Sequence, residues 1–172
     1  MADSKRKLYW DTGLFICFLN RTELDRRKIC EDILYNAQDG QVELYTSMWT
    51  IAEVVRPGKS LPNAKALTGP QIDKIQRMFE WRWLKKITVD HRIASYSAKL
   101  SRDFNLRPAD AVHAASAIRT KCDVLQVWDR DFSKIAHLIR VDEPAMLSKQ
   151  VTLLEEVRKR IGPHPDDFPQ VN

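Results

Sequence analysis

Short apolar segments with strand character alternate along this chain with segments that have the spacing of amphipathic helices. Five segments are predicted to be strands: residues 7–10, 42–46, 87–89, 124–128 and 139–141. Helical segments long enough to cross from one strand to a parallel neighbour separate the first four of them. This order predicts an α/β fold with a mostly parallel central sheet of about five strands and helices on both faces.

Two helical segments are especially well marked. Residues 23–37 place apolar side chains on one face, and Asp39 and Gly40 end that helix. Pro108 suits the first turn of a helix, so an alanine-rich helix is predicted from there to Thr120. Its small side chains predict close packing against a neighbouring element.

The composition fits an ordinary globular protein. A length of 172 residues suits one domain with a single core. Hydrophobic residues make up 44% and charged residues 30% of the chain, which excludes a disordered or fibrous protein. The 28 Lys and Arg residues exceed the 23 Asp and Glu residues, and the resulting charge of +5 permits a polyanionic partner without requiring one.

The cysteines and the hydropathy bear on the cellular setting. Cys17, Cys30 and Cys122 are widely spaced within apolar stretches, which predicts buried free thiols rather than a zinc site or a disulfide framework. Free thiols are typical of a reducing compartment. No stretch approaches the roughly 20 apolar residues of a membrane span. We therefore expect a cytoplasmic protein without a membrane segment.

Two further segments stand out by their composition or by the spacing of their apolar residues. The segment 57–70 contains three prolines and two glycines and is predicted to be a loop. Residues 144–161 have apolar side chains at helical spacing, and Gly162 and Pro163 end that pattern. We predict one domain over residues 1–143 with a helical extension of the same domain over residues 144–172. The sequence does not indicate a role for residues 56–70 or for the extension.

Four acidic residues occupy positions where a ligand site is expected. Asp11 and Asp129 each follow a predicted strand, at the sheet edge where α/β proteins bind ligands. Asp110 lies in the first turn of a helix, and Glu53 lies in an otherwise apolar helical segment. A carboxylate in an apolar setting is unfavourable without a partner, and a hard divalent cation would be a suitable one. Taken singly, each acid also fits a helix cap or a surface position.

These acids lie in four segments that resemble the motifs of one family. The segments are LYWDTGLFI at 8–16, TSMWTIAEV at 46–54, RPADAVHAA at 107–115 and VWDRDF at 127–132. In this order they resemble the four acidic motifs of the PIN-domain family. The resemblance implies a PIN-like α/β fold over residues 1–143 and hydrolysis of phosphodiester bonds in RNA.

The resemblance also implies a cofactor and a set of site residues. It implies Mg²⁺ or Mn²⁺ at Asp11, Glu53, Asp110 and Asp129. Asp131 is the alternative fourth acid, and we favour Asp129.

The smaller residues near these acids have less distinctive interpretations. Thr12 and Ser47 could present hydroxyl groups near a cation, although helix capping explains both equally well. His113 lies three residues after Asp110 and can share its helix face. We interpret His113 as a packing residue because a histidine ligand suits zinc better than magnesium.

Small PIN proteins of this kind resemble the toxin halves of VapBC toxin–antitoxin pairs. That resemblance implies an endoribonuclease toxin with an RNA substrate, a small antitoxin protein as partner, and a homodimer formed through helices. Two other hypotheses remain open. One is a PIN ribonuclease of RNA processing without an antitoxin, and the other is a catalytically silent PIN-fold module that binds RNA or protein.

One unrelated class shares a short motif with this chain. The tripeptide Asp11-Thr12-Gly13 also occurs at the active site of dimeric aspartic proteases. Those enzymes are nearly all β, whereas most of this chain has helical spacing, so the fold argues against that class. The sequence also lacks the GxxxxGK[ST] pattern of P-loop proteins.

Overall fold

The computed structural model describes residues 4–19, 23–55 and 67–148. The strands are β1 (Lys7–Trp10), β2 (Glu43–Ser47), β3 (Leu84–Ile87), β4 (Val124–Gln126) and β5 (Val141–Asp142). The helices are α1 (Thr12–Leu19), α2 (Leu24–Gln38), α3 (Trp49–Val54), α4 (Gly69–Met78), α5 (His91–Phe104) and α6 (Pro108–Arg119). A 3₁₀ helix spans Arg130–Ile135.

The five strands form one parallel sheet in the order β3-β2-β1-β4-β5. The central strand β1 pairs with both β2 and β4, so that Leu8 lies opposite Leu44 on one side and Val124 on the other. The predicted α/β fold with about five strands is confirmed, and every strand pair in this sheet is parallel. The carboxyl ends of all five strands therefore lie at the same edge of the sheet.

Helices cover both faces of the sheet, as predicted, because successive side chains of a strand point to opposite faces. Leu8 and Trp10 of β1 are buried in the core cluster that also contains residues of α1 and α2. Tyr9, between them, is buried in a second cluster with residues of α5 and α6. The alanines of α6 at positions 111, 114, 115 and 117 are completely buried, as the predicted close packing requires.

The predicted strand boundaries are wrong for four strands, and β2 is Glu43–Ser47 rather than residues 42–46, a shift of one residue. Strand β3 begins at Leu84 rather than at residue 87, because Lys85 and Lys86 are tolerated on an edge strand and hide its apolar pattern. Strand β4 ends at Gln126, two residues before the predicted end. Strand β5 is Val141–Asp142 rather than residues 139–141, because the backbone N–H of Ile139 closes the preceding turn by donating to Ile135 O at 3.3 Å.

The last described residues lie against α2. The carboxylate of Asp32, which is completely buried, accepts the backbone N–H groups of Leu147 and Ser148 at 2.5 and 3.2 Å. Residues 143–148 have no regular secondary structure. The rest of the predicted helical extension, and most of the predicted 57–70 loop, lie outside the described residues. No helix in the described part of the chain is long and apolar enough to cross a membrane.

Candidate active site

The four predicted acids come from four different elements at the carboxyl edge of the sheet. Asp11 directly follows β1 and precedes α1, and Glu53 lies in α3, the helix that follows β2. Asp110 lies in the first turn of α6, and Asp129 follows β4 and caps the 3₁₀ helix. The charges of Asp129 and Glu53 act on Asp110, and the charge of Asp110 acts on Asp11, so the fold brings Asp110 into the electrostatic range of the other three acids.

Asp11 is the most deeply buried of the four acids, with 8% of its surface exposed. Burial raises the pKa of its carboxyl group to about 6; the charge of Asp110 adds to this rise, and His113 and two backbone hydrogen bonds oppose it. One of those bonds comes from the backbone N–H of Leu14 to Oδ1 at 3.3 Å. Gly13, two residues after Asp11, leaves room for this carboxylate, since a Cβ at that position would lie 3.2 Å from Asp11 Oδ1.

Asp110 has an oxygen atom without a hydrogen bond. Its Oδ2 is buried and accepts no hydrogen bond from the described part of the chain, although Arg107 Nε makes a charge contact at 3.3 Å. Burial raises the pKa of Asp110, and Asp129 and Glu53 raise it further, against the opposing charges of Arg107 and His113. Burying a carboxylate oxygen without a hydrogen bond destabilises the fold. Groups of this kind are typical of functional sites.

The carboxylate of Glu53, in contrast to Oδ2 of Asp110, accepts hydrogen bonds. Its Oε2 accepts the hydroxyl of Thr12 at 2.6 Å and lies 3.1 Å from His113 Nε2. Burial would raise the pKa of Glu53, but hydrogen bonds from His113, Thr12 and Trp49, together with the charge of His113, hold it below its ordinary value. Glu53 is therefore ionised at neutral pH, whereas Asp11 is close to the range in which it takes up a proton.

Arg107 provides a positive charge at the mouth of this acidic cluster. It is the N-cap residue of α6, just before Pro108. Its guanidinium group contacts three carboxylates: Asp129 Oδ2 at 3.0 Å, Asp110 Oδ2 at 3.3 Å and Asp131 Oδ2 at 3.6 Å. The side chain is 69% exposed, so solvent reaches the cluster from this side.

Asp129 and Asp131 have different surroundings. Asp129 Oδ1 accepts the backbone N–H of Asp131 at 2.9 Å, and its charge acts on Asp110. Asp131 is paired with Lys134 at 3.1 Å, and a hydrogen bond from that lysine is the largest cause that lowers its pKa. These contacts are consistent with our preference for Asp129 as the fourth acid, which stays a prediction.

Sequence reasoning placed neither of two further residues of this cluster in the site, since it interprets His113 as a packing residue and gives Arg107 no role. His113 is buried, as a packing residue would be, but both nitrogens of its ring make polar contacts, with Tyr9, Thr12 and Glu53. Its position on the same helix face as Asp110 was the available signal. Arg107 was overlooked although it precedes Asp110 by three residues, the spacing of an ion pair on a helix.

The donor atoms fit a hard divalent cation. No three His, Cys, Asp or Glu side chains of residues 4–19, 23–55 and 67–148 are already arranged to hold a metal ion. The cluster nevertheless offers carboxylate oxygens, the ligands that Mg²⁺ and Mn²⁺ prefer, and one of these oxygens is buried without a hydrogen bond. Arg107 supplies part of the charge that such a cation would bring.

The fold and the acidic cluster define an α/β protein of a known family. The sequence matches the family model of the PIN domain over residues 8–138. The chain therefore belongs to the PIN domain family. A comparison with curated protein sequences finds no match.

Solved structures with the same fold include three toxin–antitoxin complexes. A toxin–antitoxin complex from Klebsiella pneumoniae matches with a TM-score of 0.55 and 20% identity, covering 81% of this chain and 99% of that one. VapBC2 from Rickettsia felis, bound to a DNA fragment from its promoter, matches with a TM-score of 0.56 and 14% identity over 80% and 98%. VapBC-1 from nontypeable Haemophilus influenzae has a TM-score of 0.53 and 16% identity over 80% and 97%.

Proposed function

We propose that this chain is an endoribonuclease dependent on Mg²⁺ or Mn²⁺ and the toxin of a VapBC-type toxin–antitoxin pair. Membership of the PIN domain family supports the nuclease part of this proposal. The similarity of fold to toxin–antitoxin complexes, whose matched chains align over 97–99% of their own length and 80–81% of this chain, supports the toxin part. The partners would be RNA as substrate, a small antitoxin protein and a second copy of the chain, all in the cytoplasm.

One observation carries the nuclease proposal: Asp110 Oδ2 is buried and unpaired by hydrogen bonds in the described structure, with three further acids around it. Apart from its charge contact with Arg107 at 3.3 Å, this oxygen lacks a partner among the described residues, and a bound ligand would relieve the cost of burying it without a hydrogen bond. Asp11, Glu53, Asp110 and Asp129 would hold the cation. A bound divalent ion supplies positive charge and Lewis acidity at a phosphate group.

The surroundings of Glu53 and Arg107 indicate different roles for them in binding water and RNA. Glu53, which stays ionised, can accept a hydrogen bond from a water molecule and orient it. Arg107 is exposed and can turn from the carboxylates toward a phosphate oxygen of RNA, a group that a guanidinium binds well. The net charge of +5 favours the approach of a polyanion.

The proposal is tested by incubating the purified, partner-free protein with total RNA in Mn²⁺ or Mg²⁺ and in EDTA. We expect cleavage in the presence of either metal and none in EDTA. Absence of cleavage by folded protein in both metals would contradict the nuclease and favour the silent binding module. Growth arrest on expression, relieved by co-expression of a small protein encoded beside the gene, would support the toxin. Cleavage without growth arrest would favour an RNA-processing enzyme.

Arg107 is expected to compete with the cation. Replacing it by glutamine removes a positive charge 3.0–3.6 Å from three carboxylates, so the affinity for Mn²⁺ should rise. We expect a rise of roughly fivefold, because solvent screens an exposed guanidinium. Isothermal titration calorimetry with Mn²⁺ measures the effect.

Arg102→Gln is the matched control, because Arg102 lies on α5 and pairs with Asp103 at 2.8 Å. It makes the same change in net charge. An equal gain of affinity in both variants would show that net charge, rather than the contacts of Arg107, accounts for the effect.

A further inference from the structure

A buried histidine links the central strand to one acid of the cluster. His113 lies in α6 with 2% of its surface exposed. Its Nδ1 is 3.0 Å from the hydroxyl oxygen of Tyr9, and its Nε2 is 3.1 Å from Glu53 Oε2 and 3.1 Å from Thr12 Oγ1. Strand β1, helix α6 and helix α3 therefore meet through a single imidazole ring.

The chemistry of the partners determines which atoms donate. An ionised Glu53 only accepts, so Nε2 of His113 must carry the hydrogen that lies between them. When the ring is neutral, Nδ1 is then the acceptor and the hydroxyl of Tyr9 donates to it, whereas in a protonated ring Nδ1 donates to the Tyr9 oxygen. Without that donor, the hydrogen of the ring could move to Nδ1. Nε2 would then present a lone pair to a carboxylate, which is repulsive.

The two bonds to Glu53 converge on one atom. Thr12 and His113 both reach Oε2, from α1 and from α6, which pack on opposite faces of the sheet. Two donors on the same oxygen restrict the rotation of the carboxylate about its last bond, and so set the direction of Oε1 as well. Both donors are themselves buried, at 8% and 2% exposure, and cannot easily move.

We propose that His113 and Tyr9 are positioning residues: His113 holds the Glu53 carboxylate in its cation-binding orientation through Nε2–H, and Tyr9 holds the His113 ring through Nδ1. This inference rests on the proposed function, because it assigns Glu53 to the cation site. Supporting groups of this kind commonly change metal affinity between about tenfold and a hundredfold.

The test compares two replacements of His113. Gln can place an amide N–H near the position of Nε2, whereas Leu fills a similar volume without a donor. We expect His113→Leu to weaken Mn²⁺ binding about tenfold or more, and His113→Gln to recover most of the loss. Calorimetry with Mn²⁺ measures the affinity, and thermal unfolding in EDTA identifies any variant that fails to fold.

Tyr9 is tested by removal of its hydroxyl alone. Tyr9→Phe should weaken Mn²⁺ binding several-fold, and the ¹⁵N resonances of the His113 ring in metal-free protein should lose the pattern of a single Nε2–H form. Tyr45→Phe is the matched control, because Tyr45 lies opposite Tyr9 on β2 and donates its hydroxyl hydrogen to Glu43 at 2.8 Å instead. That control should leave both measurements unchanged.

The outcomes separate this inference from the proposed function. Equal Mn²⁺ affinity in the wild type, His113→Leu and Tyr9→Phe would overturn the positioning role while leaving the metal site intact. Equal loss in His113→Gln and His113→Leu would also overturn it, because packing alone would then explain the effect. Wild-type protein that binds no Mn²⁺, yet shows the Nε2–H form in metal-free spectra, would overturn the proposed metal site together with this role of the ring.

Discussion

Replacement of Asp110 by asparagine is expected to reduce metal-dependent RNA cleavage by at least about a hundredfold. Asn has nearly the same shape, but it removes the negative charge and one oxygen from the position where a buried carboxylate oxygen lacks a hydrogen bond. The three other acids would then face the cation with less charge and an incomplete set of ligands. Single-turnover cleavage of an RNA substrate in Mn²⁺, at matched protein concentration, measures the loss.

Asp73→Asn is the control for this variant, because Asp73 lies exposed on α4 and is replaced in the same way. It should cleave at the wild-type rate. The fold of both variants can be compared by circular dichroism and by thermal unfolding in EDTA. Undiminished cleavage by a folded Asp110→Asn protein would remove Asp110 from the catalytic site.

Asp11→Asn is expected to stabilise the metal-free protein at neutral pH and to leave its stability unchanged in acid. The pKa of Asp11 is raised by burial to about 6 in the folded state, from the ordinary 3.8 of an unfolded chain. The folded protein therefore binds the proton more tightly than the unfolded chain does. Well below pH 3.8 both states are protonated and the carboxyl group has no effect on stability. Between pH 4 and 6 the free energy of unfolding falls as the pH rises.

The stabilisation by Asp11→Asn should therefore be complete above about pH 7, and should reach roughly 2 to 3 kcal/mol. Urea unfolding in EDTA at pH 4 and pH 7.5 measures it. The amide oxygen of Asn can still accept the backbone N–H of Leu14, so the cap of α1 is retained. An equal difference in the free energy of unfolding between Asp11→Asn and the wild type at both pH values would contradict a raised pKa of Asp11 in the folded protein.

Most of the fold could be predicted because it depends on patterns along the chain. The alternation of strand and helix spacing is sufficient for a parallel sheet, and the burial of Leu8, Tyr9 and Trp10 on both faces follows from an apolar central strand. Strand β3 was misplaced because its two adjacent lysines break that pattern. An edge strand needs fewer apolar residues than a central one, so its sequence carries a weaker signal.

Asp11 and Asp129 could be located for a similar reason, since residues that follow parallel strands share one edge of the sheet, whereas Glu53 and Asp110 were assigned through the resemblance of their segments to the PIN-domain motifs. The contacts that these acids make with one another and with their neighbours could not be predicted. Which carboxylates Arg107 would bridge depends on the distance between the start of α6 and the 3₁₀ helix, which no spacing in the sequence encodes. His113 occupies the same position on α6 whether its ring packs against apolar side chains or hydrogen-bonds to Glu53. Only the placement of Tyr9 and α3 in the fold decides between these two roles.

The two outer strands of the sheet limit the ways in which this protein can associate. Strand β5 has only two residues, and β3 carries Lys85 and Lys86 in the middle of a four-residue segment. Edge strands that are short or that carry lysines are poor templates for pairing with a strand of another molecule. Among the described residues, pairing at the sheet edges is therefore a disfavoured route to association, and helical surfaces are the better candidates for a contact with another protein. The same edges disfavour the stacking of copies of this chain into a continuous β-sheet.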